Sequence, residues 1–259
     1  MYLRRFKLLF PNKHRYNSPE IHNLFNLLLN LTAATTTLPL QNNLKVVYKK
    51  SRSAFLILIL IFSTCLITFI IIAYKIVYQH QDAFDNAVIS YLSQHRSPEL
   101  IHVMVMITFF GSSLFFLPAY FVLIAYLVIR RHYQQAIAVA ITSVISWVVL
   151  SQIKILFHRH RPSLPLVTNI STFSFPSAHA YSSLIFFSIL AFIVTKWQSS
   201  SLQKNALVVF ILLCPLAVGV SRIILNVHHT TDVIAGYCLA TMWLILSYRL
   251  FCKRKNVNI

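Results

Sequence analysis

Six apolar stretches divide the sequence, near residues 54–74, 101–129, 136–157, 178–195, 206–225 and 232–251. Each reaches the length of about 20 helical residues needed to cross the hydrocarbon core of a bilayer. Backbone polar groups in lipid find no water, so a segment that crosses alone must satisfy them internally, as a helix does. The expected fold class is therefore all-α: an integral membrane bundle of six transmembrane helices. Composition agrees, with 57% hydrophobic and only 11% charged residues, where soluble domains carry about 25% charged. The second stretch is long, and Gly111 and Pro118 mark where it is expected to bend. The first stretch begins near Ala54, too deep for a secretory signal peptide, and is expected to remain as a signal anchor.

The formal net charge is +18, from 23 Lys and Arg against five Asp and Glu. The basic residues flank the apolar stretches, as juxtamembrane anchors do, so no nucleic-acid partner is expected. Counting Lys and Arg in the connecting segments places both termini in the cytoplasm of a multi-pass protein of the cell (inner) membrane. That orientation leaves only Lys75, Arg96, Lys154, Arg159, Arg161 and Arg222 outside. Lys154, Arg159, Arg161 and Arg222 fall at the outer ends of the third and fifth spans. His158, His160, His179 and His228 lie in or near the same segments. Cations on the disfavoured side imply an anionic ligand at the extracytoplasmic face.

Residues 1–50 read as a separate cytoplasmic segment, with an interfacial amphipathic helix over 21–31 and a linker over 32–43. Residues 51–259 form the membrane domain. Residues 75–100 are expected to form an outer loop or interfacial helix carrying Asp82, Asp85 and Glu99. Cys65, Cys214, Cys238 and Cys252 lack metal-ligand spacing and read as apolar side chains. His228 and His229, being adjacent, point to different faces, and no set of ligands completes a zinc tetrahedron; no metal site is expected. Tyr74, Tyr78, Trp147 and Trp197 suit interface belts or packing.

Three segments carry the chemistry. The first is Lys154-Ile-Leu-Phe-His-Arg-His-Arg161-Pro162. The second is Phe175-Pro176-Ser177-Ala178-His179, and the third Ser221-Arg222-Ile-Ile-Leu-Asn-Val-His228-His-Thr-Thr-Asp232. Phosphoryl transfer needs donors and cations aimed at the equatorial oxygens of the transition state. Lys154, Arg161 and Arg222 supply cations, with Arg offering a planar fork for bidentate contact. Ser177 and the backbone N–H groups of Ala178 and His179 can donate from a helix start, whose dipole favours an anion. A neutral imidazole can attack phosphorus, and His228 has Asp232 four residues on, expected on the same helical face, to orient it. His179 is the candidate general acid for the leaving alkoxide and then the base for water. On residue types alone, cations at helix ends also snorkel to headgroups, and Asp232 also suits a helix cap. His158 and His160 read as loop histidines that can also aid substrate binding.

The three segments resemble the signature of the type 2 phosphatidic acid phosphatase superfamily, in its membrane lipid phosphatase branch: K-x6-R-P, P-S-G-H and S-R-x5-H-x3-D. Lys154, Arg161 and Pro162 match the first part. Pro176, Ser177 and His179 match the second, and Ser221, Arg222, His228 and Asp232 the third. Ala178 stands where the family usually has Gly, which adds a methyl group near the phosphate site. The resemblance spans about 54–251 and implies a six-helix core, similar also to the vanadium haloperoxidases, with the site at its outer end. It implies a metal-independent reaction without cofactor. The implied substrate is a lipid phosphate or diphosphate, such as phosphatidic acid, phosphatidylglycerol phosphate, diacylglycerol diphosphate or undecaprenyl diphosphate. Two alternatives stay open: a phosphotransferase passing phosphate to a lipid or sugar hydroxyl, and a non-enzymatic lipid-phosphate binder.

Overall fold

The computed structural model describes residues 53–76, 78–167, 172–196 and 202–252. The expected interfacial helix at 21–31, the linker at 32–43, Trp197 and the basic residues from Lys253 onward lie outside the described residues. The chain divides into two units, Met1–Leu58 and Ile59–Ile259. Of the first, only the opening residues of a helix are described. Everything below concerns the second.

All regular structure among the described residues is helical. In chain order the helices are α1 (Ser53–Ile76), α2 (Ala83–Gln94), α3 (Pro98–Phe109), α4 (Ser113–Ile129), α5 (Tyr133–Phe157), α6 (Ala178–Thr195), α7 (Leu202–Ile224) and α8 (Thr230–Cys252). Six spans are long and apolar enough to cross a membrane, α3 and α4 together forming the second. This is an integral, multi-pass membrane protein of six spans. The spans match the apolar stretches to within a few residues. The 75–100 segment contains α2, a helix outside the spans.

Local sequence sets the joints. Ser97 caps α3 by accepting the Leu100 N–H at 3.2 Å, and Pro98 follows at the first helical position, where its missing N–H costs nothing. The second span breaks at Phe110–Gly111–Ser112, and Ser112 opens α4 by accepting the Phe115 N–H at 3.3 Å. Of the two expected bends, the break falls at Gly111, while Pro118 lies inside α4 without ending it. Helix α5 stops at His158, whose φ of 47° is left-handed and turns the chain into the loop of the first motif.

Helix α6 lies at the centre, packed along α7 and α8, and it buries Tyr181, Ile185, Phe186, Phe187, Ala191 and Val194. Phe115, Phe116 and Tyr120 of α4 meet Phe186 with ring centroids 4.9–5.8 Å apart. Lipid tails are as apolar as Leu, so van der Waals fit rather than escape from water holds such helices together. Small residues supply that fit on α8: Ala235 and Ala240 are fully buried. Large apolar side chains cover the outer faces instead, Leu114 being 76% and Phe121 75% exposed, as a lipid-facing surface requires. Hydrogen bonds between the loops bring the end of α5, the start of α6, the end of α7 and the start of α8 to one end of the bundle.

Candidate active site

Helix α7 ends at Ile224, and residues 225–229 form a turn before α8. Asn226 sits in the left-handed region at φ 55°, a position Asn tolerates well. Its side-chain amide donates to the Ser163 carbonyl at 2.6 Å and to that of Leu164 at 3.1 Å. The turn is thereby stitched to the loop that follows the first motif. His228 lies in this turn, and the expectation that it shares a helical face with Asp232 is corrected: α8 begins only at Thr230. Asp232 itself sets that boundary. Its Oδ2 reaches back to accept the His229 N–H at 2.9 Å, the reciprocal half of a capping box.

The two residues still meet. His228 is 1% exposed, with Nδ1 3.5 Å from Asp232 Oδ2 and 3.4 Å from Ser174 Oγ. On the other side of the ring, Nε2 lies 3.2 Å from Arg161 Nη1. A guanidinium only donates, so Nε2 accepts there and the ring proton belongs on Nδ1, facing the carboxylate. Burial pushes the His228 imidazole down to about 3, further than the neighbouring Asp232 can raise it. The ring is therefore neutral near pH 7, with its Nε2 lone pair turned toward Arg161.

Asp232 is fully buried and saturated with donors. The Ser174 hydroxyl donates to Oδ2, and Arg159 Nη1 donates to Oδ1 at 2.5 Å. Arg159 also binds Asp82 at 2.5 Å and Asp85 at 2.8 Å. The other three cations are held differently. Lys154 Nζ donates to the Phe173 carbonyl at 2.6 Å. Arg161 donates to the carbonyls of Thr172 and Val227 at 2.8 and 2.6 Å. Arg222 donates to Thr108 Oγ1 at 2.7 Å. Among the described residues, Asp82, Asp85 and Asp232 all pair with Arg159, and none of them forms an ion pair with Lys154, Arg161 or Arg222. Arg159 thus takes the ion pairs of all three carboxylates. Lys154, Arg161 and Arg222, without a carboxylate partner among the described residues, are left for an anion, with Arg161 Nη1 3.2 Å from Nε2.

Neutral donors complete the cradle. Ser177 is fully buried, and its N–H donates to the Asp232 carbonyl at 3.0 Å. Its hydroxyl does not cap α6 and, like Arg222 Nε, has no partner among the described residues. The first N–H groups of α6, at Ala178 and His179, have no intrahelical acceptor. Gly236 allows this approach, since a Cβ there would meet the Ser177 carbonyl at 2.8 Å. His179, half-buried in the first turn of α6, lies within electrostatic reach of Arg222, His228, Arg161 and Lys154. Its ring backs onto the break between α3 and α4, where a Cβ on Gly111 would stand 2.9 Å from His179 Cδ2. All eight residues singled out in the sequence (Lys154, Arg161, Ser177, Ala178, His179, Arg222, His228 and Asp232) stand at one end of the bundle.

The PAP2 superfamily model matches residues 135–256, which include all three motifs. Residues 135–256 belong to the PAP2 superfamily. Phosphatidylglycerophosphatase B of Bacillus subtilis (strain 168) is 28% identical over 180 residues, covering 69% of this chain and 88% of the relative. The crystal structure of a transmembrane PAP2 type phosphatidylglycerolphosphate phosphatase from Bacillus subtilis superposes with a TM-score of 0.70 at 26% identity. It covers 76% of this chain and 98% of its own. Aquifex aeolicus LpxE shares the fold, with a TM-score of 0.51 at 20% identity over 64% of this chain and 96% of its own. As a PAP2 enzyme, the protein is a phosphatase, a hydrolase of phosphoric esters.

Within this PAP2 site, Ala178 packs against the apolar cluster of Leu150, Tyr181, Ile185 and Ala240. The methyl group that replaces the usual Gly therefore has apolar neighbours of its own. Several contributors carried no assigned role in the sequence: Ser174, Arg159 and, on α2, Asp82 and Asp85. One signal was available. In a chain with only five acids, two stand three residues apart beside a span and call for buried cationic partners. A cavity of about 430 Å³ with a mixed lining opens next to the site, bounded among others by Ile76, His80, Asn86, Phe157, Arg161 and His229.

Proposed function

We propose that this PAP2 phosphatase hydrolyses a lipid phosphate at the extracytoplasmic face of the cell membrane through a phosphohistidine on His228. One observation carries the reading. A neutral imidazole, its Nδ1 turned to Asp232, presents Nε2 to a guanidinium, in a site where three cations have no carboxylate partner among the described residues. Phosphate oxygens are held by Lys154, Arg161, Arg222, the Ser177 hydroxyl and the first N–H groups of α6. Nε2 attacks phosphorus as the bond to the lipid oxygen breaks. His179 gives that oxygen its proton. The same imidazole then takes a proton from water, whose oxygen attacks phosphorus, and the P–N bond breaks to return His228 and free phosphate. Asp232 compensates the positive charge that develops on His228.

The favoured substrate class is phosphatidylglycerol phosphate, the activity named for the Bacillus subtilis relative and for the Bacillus subtilis structure. A membrane-embedded helix end suits a phosphate at the surface with its tail in lipid, and the adjoining cavity, lined in part by His80, Asn86 and His229, has room for headgroup hydroxyls. Three protein cations meet the charge demand, so the reaction is proposed to run without a metal ion.

The test is phosphate release by purified protein from a panel of phosphatidylglycerol phosphate, phosphatidic acid and undecaprenyl diphosphate in micelles containing EDTA. Wild type is expected to release phosphate, fastest from phosphatidylglycerol phosphate. His228→Ala is expected to lose at least about 10³-fold in rate. Equal release by wild type and His228→Ala refutes the reading. Label appearing on an added alcohol rather than in free phosphate would mark a phosphotransferase instead.

A further inference from the structure

Arg159 touches none of the groups expected to hold phosphate, yet it is 8% exposed and stands at the centre of the largest charge cluster among the described residues. One guanidinium nitrogen, Nη1, donates to Asp232 Oδ1 at 2.5 Å and to Thr231 Oγ1 at 2.9 Å. The other, Nη2, donates to Asp82 at 2.5 Å and Asp85 at 2.8 Å. Asp85 is 1% exposed, although α2 lies outside the spans. Its Oδ1 accepts the Thr231 N–H at 2.9 Å, and its Oδ2 accepts the Thr231 hydroxyl at 2.5 Å. Asp82, at the N-cap of α2, thus binds Arg159, and Asp85 binds both Arg159 and Thr231, the residue next to Asp232.

We propose that Arg159 is a positioning residue, and that Asp82 and Asp85 of α2 hold it so that Asp232 can orient the nucleophile without protonating it. The proposal rests on His228 being the nucleophile. The physical need is specific. A buried carboxylate lacking a cation attracts a proton to the nearest base, and here that base is His228. An imidazolium has no lone pair on Nε2 and cannot attack phosphorus. With Arg159 in place, Asp232 keeps an acceptor for Nδ1–H while its charge is compensated elsewhere. Arg161 and Arg222 also face His228 and oppose its protonation, with His179 within electrostatic reach and Ser174 as the neutral neighbour. Removing Arg159 subtracts a cation from this balance and exposes three carboxylates to it. Helix α2 becomes part of the catalytic assembly by this route.

Arg159→Gln and Asp85→Asn test the idea, each purified in detergent and compared with wild type by thermal unfolding. Two readouts separate positioning from mere fastening of α2. The first is kinetic, with dioleoyl phosphatidylglycerol phosphate in mixed micelles. The second is the titration of His228 in ¹⁵N-histidine spectra, which needs no substrate. Both variants are expected to lose at least about tenfold in kcat, because an Asp232 freed of Arg159 no longer fixes the Nδ1–H of a ring that stays neutral at assay pH, with KM within about twofold. The His228 midpoint is expected to rise, by about one pH unit or more in Arg159→Gln and by less in Asp85→Asn. If Arg159→Gln does not fold, Asp85→Asn decides alone. A kcat within about twofold of wild type, or an unmoved His228 midpoint, overturns the proposal. His228→Ala in the same assay keeps the two readings apart. If it matches wild type, the nucleophile assignment fails; if it is dead while Asp85→Asn is unimpaired, only the role of Arg159 fails.

Discussion

His228 can act as a nucleophile only while Nε2 carries its lone pair, and the site secures this by burying the ring. The imidazole's ordinary value near 6.5 falls to about 3 in the native protein, because burial outweighs the pull of Asp232. The sign has two consequences. Between those two values the unfolded chain binds a proton at this position and the native one does not, so native stability falls as pH drops through that window. The resting enzyme also keeps a neutral His228 at mildly acidic pH. In ¹⁵N-histidine spectra of the wild type without substrate, His228 is expected to remain neutral at pH 5. A His228 midpoint above 6 would contradict this. At the same scale, Ala178→Gly removes a methyl packed against the cluster of Leu150, Tyr181, Ile185 and Ala240. It should leave kcat/KM nearly unchanged and lower thermal stability by about 0.5–1 kcal/mol, read as the unfolding midpoint in detergent. The motif side chains were legible in sequence because phosphoryl chemistry restricts residue type and spacing together. Arg159 was not, since its partners on α2 lie 74 and 77 residues away and no local pattern records such pairings.

Helices deliver these side chains by close approach. The break at Gly111 packs its backbone against the His179 ring, and Val218 closes the same space from α7, so that a methyl group on residue 111 would overlap its side chain. Gly111→Ala must therefore displace either Val218 or His179. If His179 is the general acid, its displacement should slow alkyl phosphates more than aryl phosphates, whose leaving groups need less protonation. The expected outcome is a loss of about tenfold or more on phosphatidic acid and a smaller loss on p-nitrophenyl phosphate. Equal losses on both would point to general distortion. The apolar stretches predicted the spans because length and hydropathy suffice for a helix in lipid. They did not separate α3 from α4, since whether Gly111 breaks or continues a helix depends on its neighbours. Nor did the i, i+4 spacing of His228 and Asp232 reveal that a turn lies between them. That spacing fits a helix equally well, and the choice falls to the capping contact of Asp232 with His229.

Across the whole molecule, four helix ends carry the chemistry to one end of the bundle, while exposed apolar side chains clothe its flanks. The distribution of Lys and Arg is the argument for turning that end outward. Cysteine labelling tests it in a Cys252→Ser background. A Leu164→Cys protein is expected to react with a membrane-impermeant maleimide in intact cells, and Arg131→Cys only after lysis; the reverse pattern would invert the topology. The six-span plan was legible from hydropathy alone, whereas the tie between α2 and the active-site end emerges only in three dimensions. The account as a whole stands on His228 carrying the phosphoryl group. Its most direct test is to quench the purified enzyme during turnover of ³²P-labelled lipid phosphate, digest it in base and locate the label by mass spectrometry. The expected result is an acid-labile, base-stable phosphoryl group on His228, absent from His228→Ala. Label on any other residue, or the same label in the His228→Ala protein, would contradict it.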